Sequence, residues 1–170
     1  MDQKLIDKIS SECPREYLEF LLWHYRVVDA FWFIRVEEEW DLPTAEKVNE
    51  RVWGKVTELA ARKIKEKFAP EGGLQGLKKA LGYLPWTILV NYDLEDNGDE
   101  LILSVPHCPP QEGRLKHGHG EYACKEMHRA EFEAFAKTID PDIKVECLFA
   151  PPDEHPPELF CKWRFTMLPD

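Results

Sequence analysis

No stretch of the 170-residue sequence holds the ~18 or more consecutive apolar residues of a membrane-spanning helix. The most apolar segment, Phe20 to Val36, is broken by His24, Arg26, Asp29 and Arg35. A membrane partner is therefore not expected. An apolar leader is missing too: the opening MDQKLIDKIS carries charge where a signal peptide carries its apolar region, which points to a cytoplasmic protein. Positive charge is in deficit. With 22 Lys+Arg against 32 Asp+Glu the formal charge is −10, which repels a phosphate backbone and removes nucleic acid from the expected partners. The sequence also lacks a C-x-x-C pair, a dinucleotide fingerprint, a phosphate loop, G-x-S-x-G and H-E-x-x-H, so no motif fixes a reaction class. No internal repeat is visible.

What is present suits a globular chain. Hydrophobic residues make up 44% and aromatics 12%, six of them Trp, which is apolar surface enough to build a core and argues against disorder. The length predicts a single domain over residues 1–170. Five cysteines, an odd number without an export signal, are expected as reduced thiols rather than a disulfide scaffold.

The first half, residues 1–84, has helical periodicity. Pro14 with Glu16 in the first turn opens a long helix that runs to about Trp40, with Leu18, Leu21, Leu22, Tyr25, Val28, Trp32 and Val36 at steps of three and four. Phe20, Trp23, Val27, Phe31 and Ile34 form a second stripe, so this helix is apolar over most of its circumference and expects cover on several sides or from a second subunit. Thr44 as N-cap begins a second helix to about Phe68, and Leu74 to Leu84 makes a short third. From residue 85 the pattern turns to ββαββ. Thr87–Leu94 and Glu100–Val105 largely alternate around Asp96-Asn97-Gly98-Asp99, a hairpin signal; Glu121–Thr138 reads as a helix; Ile143–Phe149 and Leu159–Met167 read as strands. The polar stretch from Pro106 to Gly120 reads as a loop. The expected fold is α+β, a helical N-terminal half followed by a ββαββ half with an antiparallel sheet of about four strands.

Metal-capable side chains are densest at His107, Cys108, His117, His119, Cys124 and His128. Cys124 and His128 are four apart and project from one helix face, as paired ligands for zinc do. Cys147 and Cys161 lie on the two last strands, where a hairpin would bring the sulfurs together on the core side. A metal site from Cys108, Cys124, Cys147, Cys161 and His128, holding zinc or iron, is the resulting expectation. The plain alternatives are that Cys147 and Cys161 are small apolar core residues and that the His-rich stretch is a solvated connection. A second group consists of polar residues inside the apolar stripes. His24, Asp29 and Asn49, with Trp53 beside them, either hydrogen-bond to one another within the core or line a ligand pocket. Glu37-Glu38-Glu39 is most simply a solvated face, and His155 between prolines a rigid turn.

Several strings carry a resemblance: WHYRVVDAFWF at Trp23–Phe33, CPPQ at Cys108–Gln111, GHGEYACK at Gly118–Lys125, EFEAFA at Glu131–Ala136, PPDEHP at Pro151–Pro156 and CKWRF at Cys161–Phe165. With them nearly the whole chain resembles a family of small prokaryotic proteins, many from anaerobes, classed only as a domain of unknown function. The layout more distantly looks like the 2-amino-thiazoline-4-carboxylic acid hydrolase-like group and the 4-vinyl reductase small-molecule-binding domains. That likeness implies a fold and a pocket and assigns no catalytic residue.

The functional expectation is a cytosolic protein that binds a small-molecule ligand or a metal, as a sensor in one form of the reading, with a homodimer through the aromatic helix as a further partner. The rival is a hydrolase-type enzyme in which a metal-activated water or a cysteine thiolate attacks a small heterocyclic or acyl substrate, with His128 or His24 as base.

Overall fold

The computed structural model describes residues 1–169. Helices α1 (Gln3–Glu12), α2 (Pro14–Glu39), α3 (Leu42–Phe68), α4 (Gly73–Leu81) and α5 (Pro85–Val90) come first. The hairpin β1 (Asp93–Asp96) and β2 (Glu100–Val105), helices α6 (Pro109–Lys116) and α7 (Lys125–Ile139), and strands β3 (Ile143–Phe149) and β4 (Cys161–Met167) follow. The fold is α+β, helical in its N-terminal half, with one antiparallel four-stranded sheet in the order β1-β2-β4-β3. β3 and β4 pair as the hydrophobic alternation predicts, with Val145 opposite Phe165 and Cys147 opposite Trp163.

Local chemistry explains most boundaries. Asp41 caps α3 by accepting the Thr44 N–H at 2.7 Å, which moves the cap three residues ahead of the expected Thr44 and puts Pro43 in the first turn. α3 closes at Ala69 in the left-handed region, with Lys65 and Lys67 in its last turn.

Two segments differ from the sequence expectation. Residues 85–90, of which 87–90 were expected within a strand, form helix α5: Pro85 stands in its first turn, Trp86 and Val90 are buried one turn apart, and Asn91 ends it at φ 57°. A short apolar run such as WTILV fits a buried helix as well as a strand, and only packing decides. The β1 strand shrinks accordingly to Asp93–Asp96. Residues 109–116, expected as loop, form α6, which starts on two prolines with Glu112 in its first turn and carries Arg114 and Lys116 in its last. Its weak amphipathicity hid it.

One continuous core joins the halves. Trp163, Phe132, Phe135 and Phe165 are fully buried between α7 and the sheet, edge on edge at 5.2 Å for Phe132–Trp163 and 5.8 Å for Phe132–Phe165. Each contributes on the order of 2–3 kcal/mol by burial. α7 has α3 on its other side, and a methyl at Gly54 of α3 would stand 3.3 Å from the Ala130 Cβ, so glycine permits this close approach. α2 lies across α3 and is covered only in part: Phe33 is its one buried residue, while Leu18, Phe20, Leu21, Trp23, Val28 and Phe31 remain exposed.

Candidate functional site: a groove that opens into a buried chamber

α7 sets the geometry. Cys124 is its N-cap, and His128 and Glu131 follow at four and seven positions, a spacing that places all three on one helix face. The backbone N–H groups of Cys124 and Lys125 both donate to the Pro151 carbonyl, at 3.1 and 3.0 Å, and anchor this helix end on the β3–β4 connection. Gln111 of α6 fixes the segment before it. Its Oε1 accepts the Tyr122 N–H at 3.1 Å, and its Nε2 donates to the Tyr122 carbonyl at 2.9 Å and to the Cys124 Sγ at 3.4 Å. Gln111 is fully buried, so these bonds satisfy an amide that would otherwise be costly to bury.

The His128 Nδ1 is 2.7 Å from the Glu131 Oε2, and the imidazole stacks on Phe132 at 5.6 Å. Burial works against charge on this imidazole, but hydrogen bonding with Cys124 and Glu131, together with the negative charge available to both, pushes its pKa up to about 10. Cys124 and His128 stand one turn apart on one face of α7, with a carboxylate beside His128 that the sequence reading missed. Glu131 sits in the apolar stripe between Met127 and Phe135 and is 3% exposed. An acid in an apolar stripe, one turn from a candidate histidine, was the signal that could have found it.

These side chains line an internal chamber of about 40 Å³ open to the centre of a water molecule. The same chamber is lined by Asp29, Asn49 and Trp53, so the two residue groups that the sequence suggested separately converge on one space. Trp53 and Trp86 meet edge on at 5.7 Å and Tyr25 packs on both, forming the aromatic wall. Burial raises the Asp29 carboxyl to a pKa of about 6, although the Trp53 and Trp32 side chains hydrogen-bond to it. Asn49 is 4% exposed and lines the chamber.

Outside the chamber, α2 and α6 border a groove of about 640 Å³. Val27, Ala30, Phe31, Phe33 and Ile34 give it an apolar wall, and Arg26, Arg114, His117 and His119 stand along it. Arg114 is held in a two-point pair with Glu37, at 2.5 and 3.2 Å. Asp29, Asn49, Trp86, Pro110 and Tyr122 line both groove and chamber.

The expected metal set is not assembled. Among the described residues no group of three or more His, Cys, Asp or Glu is placed to hold a metal ion. Cys108, Cys124 and Cys161 line the chamber, whereas Cys147, half-buried opposite Trp163, does not. Burial also pushes the Cys108 thiol up to about 12, Cys147 to about 11 and Cys161 well above the usual range, which keeps these sulfurs protonated and poor donors. His24 is exposed and stacks on Phe20 at 5.9 Å; it belongs to no pocket with Asp29 because its side of α2 faces away. His107 pairs loosely with Glu112 at the surface, and His155 is held by Glu121 and the Pro156 carbonyl.

A family model described as a family of unknown function, DUF6125, matches residues 15–167. The chain belongs to that family. No curated protein matches DUF6125's member here. A solved structure of trafficking protein particle complex subunit 3 from Naegleria fowleri, covalently bound to palmitic acid, is similar at a TM-score of 0.49 and 9% identity, over 90% of this chain and 96% of that one. Among the described residues no helix is long and apolar enough to cross a membrane.

Proposed function

We propose that this protein of the DUF6125 family binds a small, largely apolar organic ligand with one polar end, which enters by the α2–α6 groove and directs that end into the chamber. The observation that carries this reading is the shared wall: the same five side chains, Asp29, Asn49, Trp86, Pro110 and Tyr122, line both spaces. The groove volume falls in the range of ~300–1,000 Å³ usual for ligand sites. Asn49 supplies an amide at the junction, and Asp29 donates a hydrogen bond when protonated and accepts when ionised. All five cysteines are free, in keeping with a reducing, cytoplasmic setting. A second copy of the chain is the further partner in this reading, meeting the exposed Leu18, Phe20, Leu21 and Trp23 of α2. Zinc or iron would find Cys124 and His128 as adjacent donors, and elemental analysis of the same preparation measures it.

Titration with anilinonaphthalene sulfonate, an apolar fluorescent anion, tests the reading. Saturable binding is expected, and Ala30→Trp, which fills the groove from an exposed helix position, is expected to weaken it at least ten-fold with the melting temperature unchanged. Equal binding by wild type and Ala30→Trp would overturn the groove as the site.

A second reading is catalytic, with a cysteine thiolate attacking an acyl substrate. The placement of Cys124 and His128 on one face of α7, both lining the chamber, favours it.

A further inference from the structure

The geometry points to Cys124, His128 and Glu131 as a nucleophile, acid–base and positioning set for hydrolysis of a small ester or thioester. The proposal rests on the reading that groove and chamber admit a small molecule, and it names the chemistry at the inner end. Three features support it. The three side chains occupy one face of one helix, so a single rigid element fixes their spacing. The Glu131 carboxylate orients the imidazole at 2.7 Å, as the third member of a nucleophile–base–carboxylate set must. Cys124 lines the chamber and is held in place by Gln111.

Cys124 is also the N-cap of a 15-residue helix that no side chain caps. The Glu126 and Met127 N–H groups, which follow the two bound to Pro151, are thus available for negative charge that develops on the sulfur or on a carbonyl oxygen next to it. The chamber has room only for the reacting carbonyl group, and the apolar acyl or leaving portion lies in the groove.

The step balances without a metal or redox partner. With His128 charged at neutral pH, Cys124 reacts as the thiolate beside it: a sulfur lone pair forms a bond to the carbonyl carbon while the carbonyl π pair moves to oxygen. Return of that pair breaks the bond to the alcohol or thiol, which leaves with the proton from His128, and a thioester on Cys124 remains. Water, losing a proton to His128, then adds to this thioester; its collapse releases the carboxylic acid and restores the Cys124 thiolate beside the charged His128.

The test is acetylation by p-nitrophenyl acetate at neutral pH, read by p-nitrophenolate release and by peptide mass mapping of the five cysteines. Cys13, part-exposed and far from α7 in sequence, is the internal reference. The expected result is acetyl transfer to Cys124 at least ten-fold faster than to Cys13, in spite of the 2% exposure of Cys124, followed by hydrolysis of the adduct. Cys124→Ala is expected to lose that adduct and the turnover while it still binds anilinonaphthalene sulfonate. Glu131→Gln, a positioning variant, is expected to slow acetylation about 10–100-fold and to shift its pH profile. Modification of Cys124 only after denaturation, with Cys13 modified first in the native protein, would overturn the proposal. If dye binding persists in that case, the set is structural and the ligand site stands; if the native protein binds no dye, the ligand reading falls as well. The wild-type reactivity order needs no variant to fold.

Discussion

Asp29 and His128 face the same chamber with pKa values displaced upward for different reasons, and each displacement is a statement about stability. Burial lifts Asp29 from 3.8 to about 6, so between those values the native state holds a proton that the unfolded chain has released. Stability from this group is full below pH 3.8 and falls as pH rises to 6, by about 3 kcal/mol. Asp29→Asn removes that slope, and denaturant melts at pH 4, 5, 6 and 7 are expected to show the variant gaining on wild type until about pH 6 and not beyond. A constant difference at every pH would contradict the burial argument. His128 works in the other range. Raised from 6.5 to about 10 against the cost of burial, by Cys124 and Glu131 with Asp29 and the rest of the chamber facing it, it stabilises the fold fully below 6.5 and loses that contribution as pH approaches 10. Wild type is expected to lose stability from pH 7 to 10, and His128→Gln to lose less over the same interval in the same melts.

At the scale of elements, much of the fold was legible. The helices α2, α3 and α7, the Asn97-Gly98 turn and the β3–β4 pairing each follow from periodicity or turn chemistry. α5 and α6 were not, because one is a six-residue apolar run that suits either structure and the other has no apolar stripe. The site was half legible for a related reason. Cys124 and His128 share a helix, so their pairing could be read from spacing, but their meeting with Asp29 and Asn49 depends on how α2 and α3 pack on α7, which no local pattern encodes. Gln111 was missed along with α6, the helix that carries it. Glycine gives a prediction at this scale. A methyl at Gly76 would stand 1.6 Å from the Glu71 carbonyl oxygen, which forces the start of α4 away from the loop before it. Gly76→Ala is expected to cost at least about 1–3 kcal/mol in urea melts, whereas Gly113→Ala in α6, with open space around it, is expected to be neutral or stabilising. Equal effects at the two positions would contradict the packing described for α4.

For the whole molecule, two surfaces carry predictions. The exposed apolar start of α2 predicts a dimer by light scattering, and Trp23→Glu, at a residue 51% exposed, is expected to give a monomer with little change in melting temperature; a monomeric wild type would remove the second copy from the account. The groove and chamber carry the central claim, that one continuous space runs from the surface at α2 and α6 to Cys124. The measurement that tests it most directly is the rate of Cys124 alkylation by iodoacetamide with and without saturating anilinonaphthalene sulfonate. If the space is continuous, dye in the groove slows alkylation of Cys124 several-fold and leaves Cys13 unaffected. Alkylation of Cys124 at one unchanged rate, with the groove occupied, would show that the chamber is reached from elsewhere.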